Sequence, residues 1–212
     1  MGVLADAKRV ASLIESLAGA INRDCQVAED EAKGSVIGGS RRFEDAAGSA
    51  GVGHGGGWAL IGVRSRGDVL AQRLVGMLDP RRFEGRVGSL DITLYRDDLS
   101  EIGPQAVVRT TEVPFAIDGL NIVLVDDVIM TGRSIRAALE SLMDLGRPRR
   151  VWLDVLVDRG GRELPIQPDH VGLDLRDAQP PLPPSRRVQV QLEPTDSCDA
   201  IVLEDAQNNH GQ

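Results

Sequence analysis

The chain has 212 residues and a formal charge of −8, which excludes a protein that coats nucleic acid through bulk electrostatics, though not one with a local basic face. Apolar residues make up 42% and aromatics 3%, so an α/β-sized domain must build its core from aliphatics. No apolar run approaches the roughly 20 residues that span a bilayer, Lys8, Arg9 and Glu15 break up any signal peptide, and Cys25 and Cys198 read as free thiols of a reducing cytoplasm.

Residues 4–24 show an amphipathic helix, with Val10, Leu13, Ile14, Leu17 and Ile21 at helical spacing; residues 1–27 are expected to form an N-terminal helical segment. Residues 28–57 start acidic, turn Gly- and Ser-rich, and are expected to be a mobile insertion without regular structure. One domain is expected over 58–205, with 206–212 as a tail. Within it, 58–63 is a short buried strand, 64–67 a loop, and 68–78 a helix with Leu70, Leu74 and Met77 on one face. Residues 89–95 alternate as a half-buried strand, and 97–119 are polar and loop-like. A buried strand starts at Ile122, and a helix over 134–145 is stopped by Gly146 and Pro148. Residues 151–157 form another strand, closed by Asp158-Arg159-Gly160-Gly161, and a proline cluster (Pro180, Pro181, Pro183, Pro184) leads to a last strand over 188–192. Strands alternating with helices predict an α/β fold with a mainly parallel twisted sheet flanked by helices.

In such a sheet, ligands bind beyond the carboxyl ends of the strands. Three predicted strand ends carry suitable punctuation: residues 64–67, 126–134 and 158–161. The richest is 122–134, where apolar residues lead to Asp126-Asp127 and then Thr131-Gly132-Arg133-Ser134 opens a helix. The turn's N–H groups and the helix dipole suit a phosphate, and carboxylates accept from vicinal hydroxyls. Adjacent carboxylates repel each other, so beside a phosphate-suited turn they call for a cation or a polyhydroxyl partner, and an ordinary solvated strand end explains them less well. A P-loop is absent, and the G-x-G-x-x-G match at Gly51, Gly53 and Gly56 precedes a strand instead of following one.

The 126–134 run resembles the phosphoribosyl pyrophosphate (PRPP) motif of type I phosphoribosyltransferases. Residues 89–98 (SLDITLYRDD) and 157–165 (VDRGGRELP) are similar to the pyrimidine operon attenuator/uracil phosphoribosyltransferase family, and the likeness runs almost unbroken over 58–192. It implies a type I phosphoribosyltransferase fold with a flexible flap and a small hood. It also implies the reaction of uracil with PRPP to give UMP and pyrophosphate. Magnesium would be held mainly through PRPP oxygens and water, with no protein metal ligand assigned. A homo-oligomer, dimer or higher, and a cytoplasmic location follow from the same likeness.

In that light Asp126 and Asp127 would hold the ribose hydroxyls and steady positive charge on the sugar. Thr131, Gly132, Arg133 and Ser134 would cradle the 5′-phosphate, Val128, Ile129 and Met130 would also bind substrate, and Ser65 and Arg66 would meet the pyrophosphate. Arg96 would close over it from the flap, and Arg159 would border the base pocket; for both arginines a surface ion pair is the competing reading. Met130 stands where purine-type relatives place an acid, which argues for a pyrimidine and leaves the general base unassigned. A second function implied by the family is a UMP-responsive RNA-binding attenuator. Ile14, Glu15 and Ala18 on the first helix, and acidic Glu29, Asp30 and Glu31 beside it, support RNA binding poorly. Arg147, Arg149 and Arg150 read as solvated surface. A third reading is a nucleotide sensor without turnover. His54 and His210 fall in segments expected to lack structure, and His170 reads as a surface-loop histidine.

Overall fold

In the computed structural model the described residues are 2–34, 57–93, 110–179, 182–183 and 185–205, the side chains of 32–34 excepted. Arg96, most of the 28–57 insertion, His54, His210, Pro180, Pro181, Pro184 and the tail lie outside them.

The main sheet is parallel, in the order β3 (Val87–Leu90), β2 (Trp58–Val63), β4 (Asn121–Ile129), β5 (Arg150–Asp158) and β6 (His170–Asp174). Its central strands are apolar throughout because both faces are covered. Alternation divides their side chains between two cores. Trp58, Leu60, Val123, Val125, Trp152 and Leu156 pack with α1 (Ala7–Gly34), α2 (Gly67–Val75) and Phe83 of α3 (Pro80–Phe83). Ala59, Ile61, Ile122, Leu124, Leu153 and Val155 pack with Ile135, Ala138 and Leu142 of α4 (Arg133–Leu145). A separate antiparallel sheet, β1 (Gly2–Ala5), β8 (Ala200–Asp205) and β7 (Arg186–Gln191), forms the hood; Val188, Val190, Ile201 and Leu203 join the α1 core.

The structure departs from the sequence reading in several places. α1 continues to Gly34, so the insertion's first residues are helical, because Ala28 still packs on the core and Glu29 pairs with Arg82 at 2.9 Å. The strand expected over 188–192 is not the last: β8 follows it and sits between β1 and β7. The strand expected over 89–95 starts earlier, and among the described residues spans Val87–Leu90. His170 is not in a surface loop; it stands in β6 and bonds the fully buried Asp154 at 3.0 Å. Cys25 faces the core, its thiol pushed up to about 12 by burial, which leaves it inert. No helix among the described residues is long and apolar enough to cross a membrane.

Candidate active site

The carboxyl ends of β2, β4 and β5 meet the hood strand β7 around a cleft of about 520 Å³. It brings together Ser65, Arg66, Asp126, Asp127, Val128, Met130, Ser134 and Arg159 of the expected site. Gly67 makes the close approach possible: a Cβ there would lie 2.6 Å from the Val125 carbonyl oxygen, so only glycine lets the Ser65-Arg66 loop abut the acidic pair. The Arg64–Ser65 peptide is cis.

β4 does not end at the acidic pair. It runs on to Ile129, with Val128 and Ile129 still in register with Val157 and Asp158. Asp126 is buried, and its Oδ1 accepts the Asp127 N–H at 2.9 Å, while Asp127 Oδ1 accepts the Val128 N–H at 2.8 Å. Burial pushes the Asp126 carboxyl well above the usual carboxylate range, with the neighbouring Asp127 charge adding to it. Burial also raises Asp127, against the pull of the Val128 N–H and of Arg66. Two crowded, desolvated acceptors facing a cleft are poised for hydroxyl or cationic partners.

α4 opens beside them. Gly132 precedes it with φ +90°, where a side chain would be strained, and as the N-cap it brings no side chain to the first turn, so the N–H groups after Arg133 are left for a ligand. Thr131 Oγ1 accepts the Arg133 N–H at 3.2 Å, and the Thr131 carbonyl accepts the N–H groups of Glu163 and Leu164 at 2.9 and 3.0 Å. Arg133 turns to Glu163 at 2.7 Å, so its side chain leaves the cradle; Thr131, Gly132 and Arg133 flank the cleft and do not line it. Ile129 is a core residue instead of a lining one, 1% exposed in the α4-side core, because the strand persists through it.

Arg159 is buried. Its Nη2 donates to the Pro183 and Arg186 carbonyls at 2.8 and 2.9 Å, so it ties β5 to the hood and is no surface ion pair. Sequence reasoning missed Arg162, whose three nitrogens donate to Asp158 Oδ2 at 2.6 Å and to the Met130 and Ile166 carbonyls at 2.8 Å each. It knits the acidic strand to the loop that walls the helix start. It missed the lining residues Arg64 and Ile92, and it missed Arg186 to Val190 as a wall of the site. The alternation of Val188 and Val190 signals a strand but not where the strand lies.

A parallel sheet with an acidic pair and an open helix start at its carboxyl edge, roofed by a small antiparallel sheet, is the architecture of a phosphoribosyltransferase. The family described as "Phosphoribosyl transferase domain" matches residues 40–179, and the chain belongs to it. The chain is 51% identical over 147 residues to the bifunctional protein PyrR of Pelotomaculum thermopropionicum, covering 68% of this chain and 77% of that one. It is 52% identical over 150 residues to the bifunctional protein PyrR of Thermus thermophilus, covering 69% and 79%. These relatives agree with the likeness read from the motifs. Among solved structures, the hypoxanthine phosphoribosyltransferase of Trypanosoma cruzi superposes with a TM-score of 0.60 at 18% identity, covering 97% of each chain, which shows a shared fold.

Proposed function

We propose that this protein transfers the phosphoribosyl group of PRPP to uracil, giving UMP and pyrophosphate. The observation that carries the reading is the cleft that sets the Asp126–Asp127 pair beside the start of α4, with Arg66 also lining it. The α4 N–H groups and Ser134 receive the 5′-phosphate. The acidic pair receives the ribose diol and stabilises the sugar as the bond from C1′ to the pyrophosphate oxygen breaks and the bond to uracil N1 forms. Arg66 takes charge from the departing pyrophosphate.

The base side of the cleft is built from the free edge of β7. An edge strand turns alternate N–H and C=O groups away from its neighbour. Arg186 does so: its N–H bonds the Pro183 carbonyl at 3.0 Å and its carbonyl accepts from Arg159. By the same alternation Val188 and Val190, which also line the cleft, present backbone groups to it. A donor next to an acceptor matches the alternating N–H and C=O edge of a uracil ring. Met130 supplies an apolar wall with no proton to exchange, which supports a pyrimidine over a purine.

Magnesium fits the donor set. Among the described residues no cluster of three or more His, Cys, Asp or Glu could cage an ion, and the cleft carboxylates are one adjacent pair. That suits a cation carried largely by substrate oxygens and water, which when bound would neutralise charge on the pyrophosphate.

Mixing the protein with uracil, PRPP and magnesium is expected to release pyrophosphate in step with UMP. Release with hypoxanthine and not with uracil, or no release with any base, overturns the reading. The relatives are named bifunctional proteins, and RNA binding would be the second activity of the same fold. A gel shift with the gene's own leader RNA, with and without UMP, tests for it.

A further inference from the structure

The hood is fastened to α2 by two arginine forks, one at each end of the helix. Arg66 Nε and Nη2 donate to Asp196 Oδ2 and Oδ1 at 2.9 and 2.8 Å, across 130 residues of sequence. Arg73 Nη1 and Nη2 donate to Asp199 at 2.5 and 2.8 Å, and Nη2 also reaches the Glu193 carbonyl at 2.7 Å. Each carboxylate is itself held by a backbone N–H: Leu192 to Asp196 at 2.8 Å and Glu193 to Asp199 at 2.9 Å. The two forks share the same chemistry and the same pair of elements, α2 and the turn after β7, with Arg66 at the helix start and Arg73 in its last turn.

They differ in one respect. Arg66 lines the cleft and Arg73 does not. Arg66 is also close enough to Asp127 for each to feel the other's charge. A guanidinium on a long side chain has rotamer entropy to lose on capture. Set loose, it has a ready alternative in Asp127, where it would cover the acceptors meant for a sugar diol.

We infer that Asp196 is a positioning residue: its fork holds the Arg66 guanidinium away from Asp127 and leaves Nη1 uncommitted for the pyrophosphate half of PRPP. The hood thereby sets the grip on a group bound at the opposite lip of the cleft. The inference rests on the phosphoribosyl-transfer reading, but its test does not need turnover.

Pyrophosphate and PRPP binding are measured by calorimetry, with magnesium, on the intact protein and on Asp196→Asn and Asp199→Asn. Asp196→Asn is expected to weaken both ligands about tenfold, a loss of preorganisation. It should raise KM for PRPP by the same factor while KM for uracil stays within twofold. Asp199→Asn, which removes the matching fork away from the cleft, should leave both affinities within twofold while lowering the melting temperature by a similar amount. Equal effects of the two variants on pyrophosphate, or tighter pyrophosphate binding by Asp196→Asn, overturn the inference. Should Asp196→Asn not fold, Asp196→Glu against Asp199→Glu is read by the same criteria. A protein that releases no pyrophosphate with any base, yet loses pyrophosphate affinity only in Asp196→Asn, overturns the proposed reaction and keeps the positioning role.

Discussion

The neighbouring strands β4 and β5 each bury a carboxylate, and they treat it in opposite ways. At the carboxyl end Asp126 has a like charge beside it and a cleft in front of it. One register step back on β5, opposite Val125, the fully buried Asp154 faces His170 at 3.0 Å, and His170 in turn lies 3.6 Å from Asp24 on α1. Trp58 and Trp152 close that region, their ring centroids 4.7 Å apart, and Arg150 stacks 4.3 Å over Trp152. Burial raises both carboxyls above their ordinary range, but the next influence on Asp126 is repulsion from Asp127, and on Asp154 it is the opposing pull of His170. A buried acid answered by a cation fastens one element to another. A buried acid answered by a second acid and open space awaits a ligand.

The contrast breaks most sharply on paired substitutions. Asp126→Asn with Asp127→Asn is expected to lower phosphoribosyl transfer about 100-fold or more, the scale of removing preorganised charge stabilisation. The melting temperature at neutral pH should hold or rise, because burial already disfavours the charged forms. His170→Leu should do the reverse. It bares both Asp154 oxygens, Oδ2 already having no hydrogen-bond partner, and should cost about 1–3 kcal/mol in denaturant unfolding with kcat unchanged. A large loss of kcat in His170→Leu would erase the distinction between the two buried carboxylates. Arg162→Lys lies between: it keeps the charge but cannot reach Asp158 and two carbonyls at once. It should raise KM for PRPP severalfold and lower stability by about 1 kcal/mol, both from loosening the loop against Thr131.

How much of this could be read beforehand follows from where each signal sits. β2, β4, β5 and α4 are legible because each carries its period or its apolar run within itself, and the Asp126 to Ser134 motif lies on one continuous strand–turn–helix. Arg66 and Ser65 are legible as a strand-end loop beside it. The continuation of β4 through Ile129 is not, because adjacent aspartates look like a strand end and only pairing with Val157 and Asp158 carries the strand further. The hood wall is illegible for a different reason. Its residues reach the cleft through tertiary contacts such as Arg66–Asp196 and Arg159 to the Arg186 carbonyl, and no local pattern encodes those. Met130 is legible as a lining residue, yet its carbonyl's bond to Arg162 is not.

The smallest expected effect concerns pH, and it separates the two sites by window. His170 is raised above 6.5 by its bond to Asp154 and by the charges of Asp154, Asp24 and Asp169, with burial opposing. A raised histidine contributes stability that is complete below the unfolded value and is lost as pH climbs through the folded value. The Asp24–His170–Asp154 bridge should therefore weaken from about pH 6.5 upward, by at most about 1 kcal/mol given its partly exposed ring. Asp126 and Asp127 are also raised, but from 3.8, so their contribution begins to be lost in the acid range instead. Asp154 is raised from 3.8 as well, and its burial works in the same direction. Unfolding free energy measured from pH 5 to 9 should then decline across the histidine window in the intact protein and flatten there in His170→Gln. Asp126→Asn with Asp127→Asn should leave that window intact and flatten the profile below it. A decline above pH 6.5 that persists in His170→Gln would place the titrating group elsewhere, and the Asp154–His170 pair would lose its claim to be a charge-answered fastening.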